Sequence, residues 1–260
     1  RMRIVVTGSL AYDYIMNFPG KFADHILPDK VHQLSVSFLV DSMKRLRGGT
    51  AGNIAFTLAL LGEKPKVVSA AGADFGEYVE ATREIGVDFG ATKQVIGEFT
   101  ASCFINTDQV NNQIVAFYPG AAVHAREVTL SSLGLQAGDW VIISPTDPES
   151  MLRHTEECKA AGVSYIFDPG KQTPRLEKEQ ILSGLRGCAV MIGNDYELGM
   201  MARATGMTEQ ALLDLAPLAI VTRGEEGSRI HQRGQPPLEI PVAKPTAVSE
   251  SKGSIPETSW

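Results

Sequence analysis

Apolar positions along the chain gather in short runs set apart by segments of helical length. Ile4 to Val6, Lys66 to Ala70, Trp140 to Ser144, Ser164 to Phe167, Ala189 to Ile192 and Leu218 to Thr222 are rich in β-formers without strict alternation. That is the pattern of strands covered on both faces of a parallel sheet. Between them, Asn53 to Leu61, Phe75 to Ile85, Glu149 to Ala160, Tyr196 to Thr205 and Glu209 to Leu215 read as amphipathic helices. Strand alternating with helix predicts a doubly wound α/β layer.

Two stretches break that rhythm. Asp13 to Arg47 and Phe99 to Phe117 carry alternating patterns such as Leu34-Ser35-Val36-Ser37-Phe38 and Cys103-Phe104-Ile105, with few helix signals. They predict a small β-rich lid, formed by about residues 14–47 and 99–118, within an α/β domain of residues 1–245. Such a lid would close over a ligand at the carboxyl ends of the parallel strands, where open α/β sheets bind. From Lys244 to Trp260 the chain turns to Ser, Pro, Glu and Lys with scattered apolar positions, the composition of a loop or tail.

Composition narrows the function classes. At 260 residues, 43% hydrophobic and 21% charged, the chain can bury one full core. A formal net charge of -6 opposes a nucleic-acid footprint, and the Lys44, Arg45 and Arg47 group reads as a solvated face. Cys103, Cys158 and Cys188 are odd in number and widely spaced, which suits reduced thiols in a cytoplasmic protein. Neither a charged leader before Ile4 nor an apolar run of bilayer length is found, so membrane insertion and export are not expected.

The candidate chemistry sits at predicted strand ends. Arg47-Gly48-Gly49-Thr50-Ala51-Gly52-Asn53 is a glycine-rich turn entering a helix, where unpaired N–H groups can meet a polar ligand. It lacks the Gly-Lys-Ser/Thr ending of a P-loop, and a plain turn with a cap explains the same residues. Asp13, after Thr7-Gly8-Ser9, can accept two hydroxyl hydrogens from a vicinal diol, although turn capping by Asp is common. Asn194-Asp195-Tyr196-Glu197 could organise a hydrated magnesium ion, and Thr222-Arg223-Gly224 could hold phosphate. Each also reads as a cap or turn; their shared placement at strand ends is the informative part.

These motifs occur in the order and spacing of the ribokinase-like sugar and nucleoside kinase family. Val6-Thr7-Gly8-Ser9 with Asp13, Phe18-Pro19-Gly20, Ser35 to Asp41, Arg47-Gly48-Gly49, Ala70 to Phe75, Phe117-Tyr118-Pro119-Gly120, His154 to Cys158 and Asn194 to Glu197 together resemble its bacterial adenosine kinase branch, over roughly residues 2 to 245. The resemblance implies a ribokinase-like, doubly wound, mostly parallel sheet with a β-lid, and ATP-dependent phosphoryl transfer to the 5'-hydroxyl of adenosine or a related nucleoside or sugar. It implies that Asp13 binds ribose hydroxyls, that Ser9 lines the nucleoside site, and that Gly48, Gly49 and Asn53 complete the ribose pocket. Cys103 and Phe117 would flank the base, and Gln172 would face the substrate beside Lys171, where an uncharged polar residue is expected. Asn194 and Glu197 would serve magnesium and phosphate, with Glu197 acting on the ion indirectly, while Thr222 and Gly224 would sit beside the ATP phosphates. The lid also pairs subunits in this branch, so Leu34 to Val40 is the expected homodimer edge.

After Val248 the family pattern continues into Asp-(Pro/Thr)-Thr-Gly-(Ala/Val)-Gly-Asp, whereas this chain reads Ser249 to Trp260. The tail 246–260 is therefore expected to stand in place of the family's catalytic segment, as in a truncated or frame-shifted reading frame. Without the base aspartate and its glycine-rich anion hole, transfer is expected to be weak or lost, and apolar surface on one sheet face to be uncovered. Two other readings stand beside this one: an esterase-like hydrolase using a Ser and one of the five histidines, which lacks a Gly-x-Ser-x-Gly elbow, and a self-associating nucleoside-binding module.

Overall fold

The structure, a computed structural model, describes residues 2–243. The predicted tail 246–260, and the weakened transfer expected from it, lie outside the described residues. The first half of the chain forms β1 (Ile4–Thr7), β2 (Ala11–Asn17), β3 (Ser42–Gly48), α1 (Thr50–Leu60), β4 (Lys66–Val68), β5 (Ala70–Gly72), α2 (Gly76–Arg83), β6 (Lys93–Val95), β7 (Ala101–Thr107) and β8 (Gln113–Tyr118). The second half forms β9 (Trp140–Ile143), α3 (Pro148–Ala161), β10 (Ser164–Phe167), α4 (Lys178–Leu185), β11 (Val190–Asn194), α5 (Asp195–Thr205), α6 (Glu209–Leu213), β12 (Leu218–Thr222), β13 (Ser228–Gln232) and β14 (Leu238–Ile240).

The apolar runs assemble as one eight-stranded sheet in the order β14-β13-β12-β11-β10-β9-β1-β4. From β12 through β4 every pair is parallel, while β13 and β14 add an antiparallel edge. The sequence pattern gave no sign of that edge, because Ser228 to Gln232 is too polar to read as a covered strand. Adjacent residues of β1 serve opposite layers. Val5 joins a core with Tyr165, Phe167, Ile181, Leu185 and Met201 under α3 to α6, and Val6 joins one with Leu10, Ala55 and Tyr78 under α1 and α2. Burying a side chain of this size contributes about 1.5–3 kcal/mol.

Away from α3 to α6 the same sheet is less covered. Ile142, Ile166, Ile192 and Ile220 all point to that second face and are only half-buried. Helix starts follow their caps: Asp147 accepts from Ser150 N at 3.2 Å ahead of Pro148, and Thr208 accepts from Ala211 N at 3.2 Å.

The lid is a four-stranded sheet, β3-β2-β7-β8, in which only β2 and β7 run parallel. Three local expectations change. Asp13 lies inside β2 and not in the loop after β1. The run from Lys66 divides at Ser69, whose hydroxyl donates to Gly8 O at 2.6 Å, so that Ala70 enters a separate pairing of β5 with β6. The alternating Leu34 to Phe38 stretch forms no strand. The alternating apolar positions are not covered on one side: Leu34 and Val36 are exposed, and only Phe38 seats, against Phe18, Phe22 and His25, with ring centroids 4.8 Å apart for Phe22 and Phe38.

Candidate functional site

The glycine turn is built by close approach. A Cβ on Gly49, at φ 87°, would lie 2.5 Å from Ser9 O and 2.7 Å from Leu10 Cα, so only glycine lets this turn press against the chain leaving β1. A Cβ on Gly48 would lie 2.5 Å from Asp13 Oδ2, which places the Asp13 carboxylate directly over the Gly48 backbone. Beneath, the buried Tyr78 hydroxyl donates to Gly48 O at 2.8 Å, and burial pushes that phenol well above its usual range.

Ser9 closes the start of α1. Its Oγ accepts from Thr50 N at 3.1 Å and its carbonyl from Ala51 N at 3.0 Å, so two donors that the sequence left open for a ligand are already engaged. Thr50 Oγ1 donates to Pro145 O at 3.0 Å and Ser144 Oγ lies 2.9 Å from it, which joins the ends of β1 and β9 to this helix. Asn53 stands one turn into α1, lining an open recess of about 320 Å³ with Ile54, Thr57 and Leu58.

In the lid, register gathers residues that are far apart in sequence. Asp13 pairs with Cys103, and Cys103 with Phe117, so the three form one cross-strand row on a single face. Phe117 is 60% exposed, leaving an aromatic ring open on the same face two strands from the carboxylate. Burial, and then the Asp13 charge, push the Cys103 thiol up, while Lys171 is near enough for its charge to pull the other way. Gln172 follows Lys171, and its Oε1 accepts from Arg175 at 3.2 Å.

A second group lies at the ends of β10, β11 and β12. Asn194 and Glu197 hold each other through a reciprocal cap on α5: Glu197 N donates to Asn194 Oδ1 at 2.7 Å, and Asn194 N to Glu197 Oε2 at 2.9 Å. Asn194 pairs in register with Thr222, so these two predicted residues stand side by side. Gly224 follows at φ 56° in the turn to β13, and Arg223 between them is drawn away by Glu226 and Glu239.

Asp168, just past the end of β10, belongs to this group. Burial, followed by the charge of Glu197, pushes its carboxyl up to about 7, against the pull of the Gly170 N–H. The rule that found Asn194 and Thr222, a polar residue just past a strand end, would have found it too. Tyr78 carried no such signal, because its partner Gly48 is brought to it by the fold alone.

The Asp168 carboxyl, raised by burial and then by the charge of Glu197, stands with Glu197 as two oxygen donors of the kind a hard cation takes, and magnesium commonly takes one or two carboxylates with waters and phosphate oxygens. Among the described residues no group of three or more His, Cys, Asp and Glu converges. The arrangement is thus a carboxylate and an exposed aromatic ring on one face of the lid, and strand ends that carry a helix N-terminus and the Asp168 and Glu197 carboxyls.

The model of a family described as pfkB family carbohydrate kinase matches residues 3–250. The chain belongs to that family. A nucleoside kinase of Methanothermobacter thermautotrophicus is 28% identical over 231 residues, covering 88% of this chain and 72% of the relative. The solved nucleoside kinase of Burkholderia thailandensis in ligand-free form is 35% identical at a TM-score of 0.80, over 95% of this chain and 81% of that one. The same enzyme in complex with inosine gives 33% and 0.79, over 94% and 77%. Its complex with ADP-inosine gives 35% and 0.77, over 94% and 76%. The ribokinase-like α/β fold expected from the sequence is the fold of these neighbours.

Proposed function

We propose that this chain is a nucleoside kinase that uses ATP to phosphorylate the ribose 5'-hydroxyl of a purine nucleoside, adenosine first among them. The observation that carries the proposal is the Asp13 carboxylate, seated over Gly48 and in one row with Cys103 and Phe117. A carboxylate can accept both hydroxyls of a vicinal diol with charge-assisted strength, and an exposed aromatic ring two strands away on the same face suits a base. Likeness to nucleoside kinases, one of them solved with inosine, supports the same substrate class.

In this reading Asp13 orients the ribose, with Gly48 and Gly49 allowing its close approach and Asn53 at the pocket wall. Ser9 acts from below by fixing the turn, and Gln172 approaches from the β10 end. Thr222 and the Gly224 backbone receive ATP phosphates, a role that suits an exposed hydroxyl beside a left-handed turn. Asp168 and Glu197, with Asn194 holding Glu197 in place, would hold magnesium; when bound, it screens phosphate charge. Positioning and charge screening make up most of what a protein supplies in such a transfer. The lid pairs two copies through Leu34 to Val40, where Leu34 and Leu39 are 52% and 86% exposed.

The test is calorimetry with adenosine and inosine, beside a phosphotransfer assay with ATP and magnesium. Hydrogen bonds to a charged group contribute about 1.5–3 kcal/mol, so Asp13→Ala is expected to weaken nucleoside binding about 10- to 100-fold. Failure of the parent chain to bind either nucleoside, or equal binding by the variant, would overturn the proposal.

A further inference from the structure

The geometry points to Asp74 as a positioning residue that anchors three of the four site-bearing lid strands, β2, β3 and β7, to the α/β body and thereby holds the nucleoside contacts over the strand ends. This inference rests on the function proposed above.

Asp74 lies just before α2 and reaches each strand by a different group. Its Oδ1 accepts from Thr100 N at 2.8 Å and from Thr100 Oγ1 at 2.7 Å, at the entry to β7. Thr100 is fully buried, and its Oγ1 in turn accepts from Gly72 N at 2.9 Å. The Asp74 carbonyl accepts from the Tyr12 hydroxyl on β2 at 3.1 Å. Oδ2 faces outward to Arg45 Nη2 on β3 at 3.7 Å. Arg45 is itself clamped between Glu77, at 2.7 Å, and the Tyr12 ring, with its guanidinium carbon 3.8 Å from the ring centroid.

The anchored residues sit close to the site in sequence. Tyr12 precedes Asp13, Thr100 lies just ahead of the strand that carries Cys103, and Arg45 lies on the strand that ends at Gly48. Tyr12 and Arg45 lie on the lid face opposite Asp13 and Cys103, since strand neighbours alternate sides. Asp74 therefore holds the lid from behind and touches none of the proposed ligand atoms. The two carboxylate oxygens divide the work. Oδ1 makes buried bonds that a neutral amide oxygen can replace, and Oδ2 makes a longer, partly exposed ion pair of the kind that contributes little.

The experiment compares Asp74→Ala and Asp74→Asn with the parent chain. Amide hydrogen exchange reads the lid strands β2, β3 and β7 against the body strands β9 to β12. Nucleoside KM and kcat are measured alongside, with inosine and adenosine as the probes. Expected for Asp74→Ala are faster exchange confined to the lid, a KM raised about 10-fold and a kcat within about 3-fold, with Asp74→Asn recovering most of the loss. Unchanged lid exchange and KM in Asp74→Ala would overturn the inference. So would loosening that spreads equally through lid and body with kcat and KM both impaired, or an Asn variant as damaged as the Ala variant. A parent chain that binds no nucleoside would sink the proposed function, and lid exchange would then decide separately whether Asp74 holds the lid.

Discussion

Replacing Asp168 by Asn should make the protein more stable at pH 8, and less than half as much more stable at pH 5. Burial, and then Glu197, raise this carboxyl from 3.8 to about 7. Between those two pH values the folded chain keeps a proton that the unfolded chain has released. Stability contributed by this group is therefore lost progressively as pH rises from about 4 to about 7, and is level above that. Each tenfold change in proton affinity corresponds to about 1.4 kcal/mol, so the full gap would be about 4 kcal/mol. Water entry and relaxation of Glu197 reduce it, and about 1–3 kcal/mol is expected. Asn keeps an oxygen for the Gly170 N–H and removes the charge.

Other groups run against this trend, so the difference between parent and variant is the measurement. Burial lowers His154 from its usual 6.5, and its contribution grows as pH rises toward that value. Glu127 and Asp139, held at about 2 by Lys93 and Arg3, lose their contribution only in strong acid. Both effects cancel in the comparison. Urea unfolding followed by circular dichroism at pH 5, 6, 7 and 8, with refolding checked, gives the difference directly. A difference that does not vary with pH, or an Asn variant weaker than its parent at pH 8, would refute the account of an uncompensated buried charge.

Two further substitutions test the glycine turn. Gly48→Ala would set a methyl 2.5 Å from Asp13 Oδ2, so the carboxylate must swing aside; nucleoside affinity by calorimetry should fall about 10-fold with the fold intact, and unchanged affinity would place the ribose contact elsewhere. Tyr78→Phe keeps the ring in the core but strands the Gly48 carbonyl, so thermal or urea unfolding should show a loss of about 1–3 kcal/mol, and a neutral result would mean that water satisfies that carbonyl.

The parts of the fold legible in the sequence were those governed by one-dimensional pattern. Val141, Ile143, Tyr165 and Phe167 are buried as their runs imply, and Asn194 and Thr222 stand together because both end parallel neighbours in register. What stayed hidden was set by contact between distant segments. Nothing in Leu34 to Phe38 tells a one-sided strand from a loop in which only Phe38 is pinned while Leu34 and Val36 stay exposed. The polar β13 and the short, exposed β14 need no buried face, because they form the edge of the sheet. Asp168 shows the limit most clearly. Its position past β10 was readable, but its altered carboxyl depends first on burial and then on Glu197, a residue of α5 whose side chain is held by its cap with Asn194. The same cap that the sequence shows as a helix signal thus sets the charge balance of the site, and a cap at this strand end cannot be separated from function by pattern alone. Changing Asn194 would be expected to alter both the start of α5 and the proton affinity of Asp168, which is why a loss of activity in such a variant would say less than the titration of Asp168 itself.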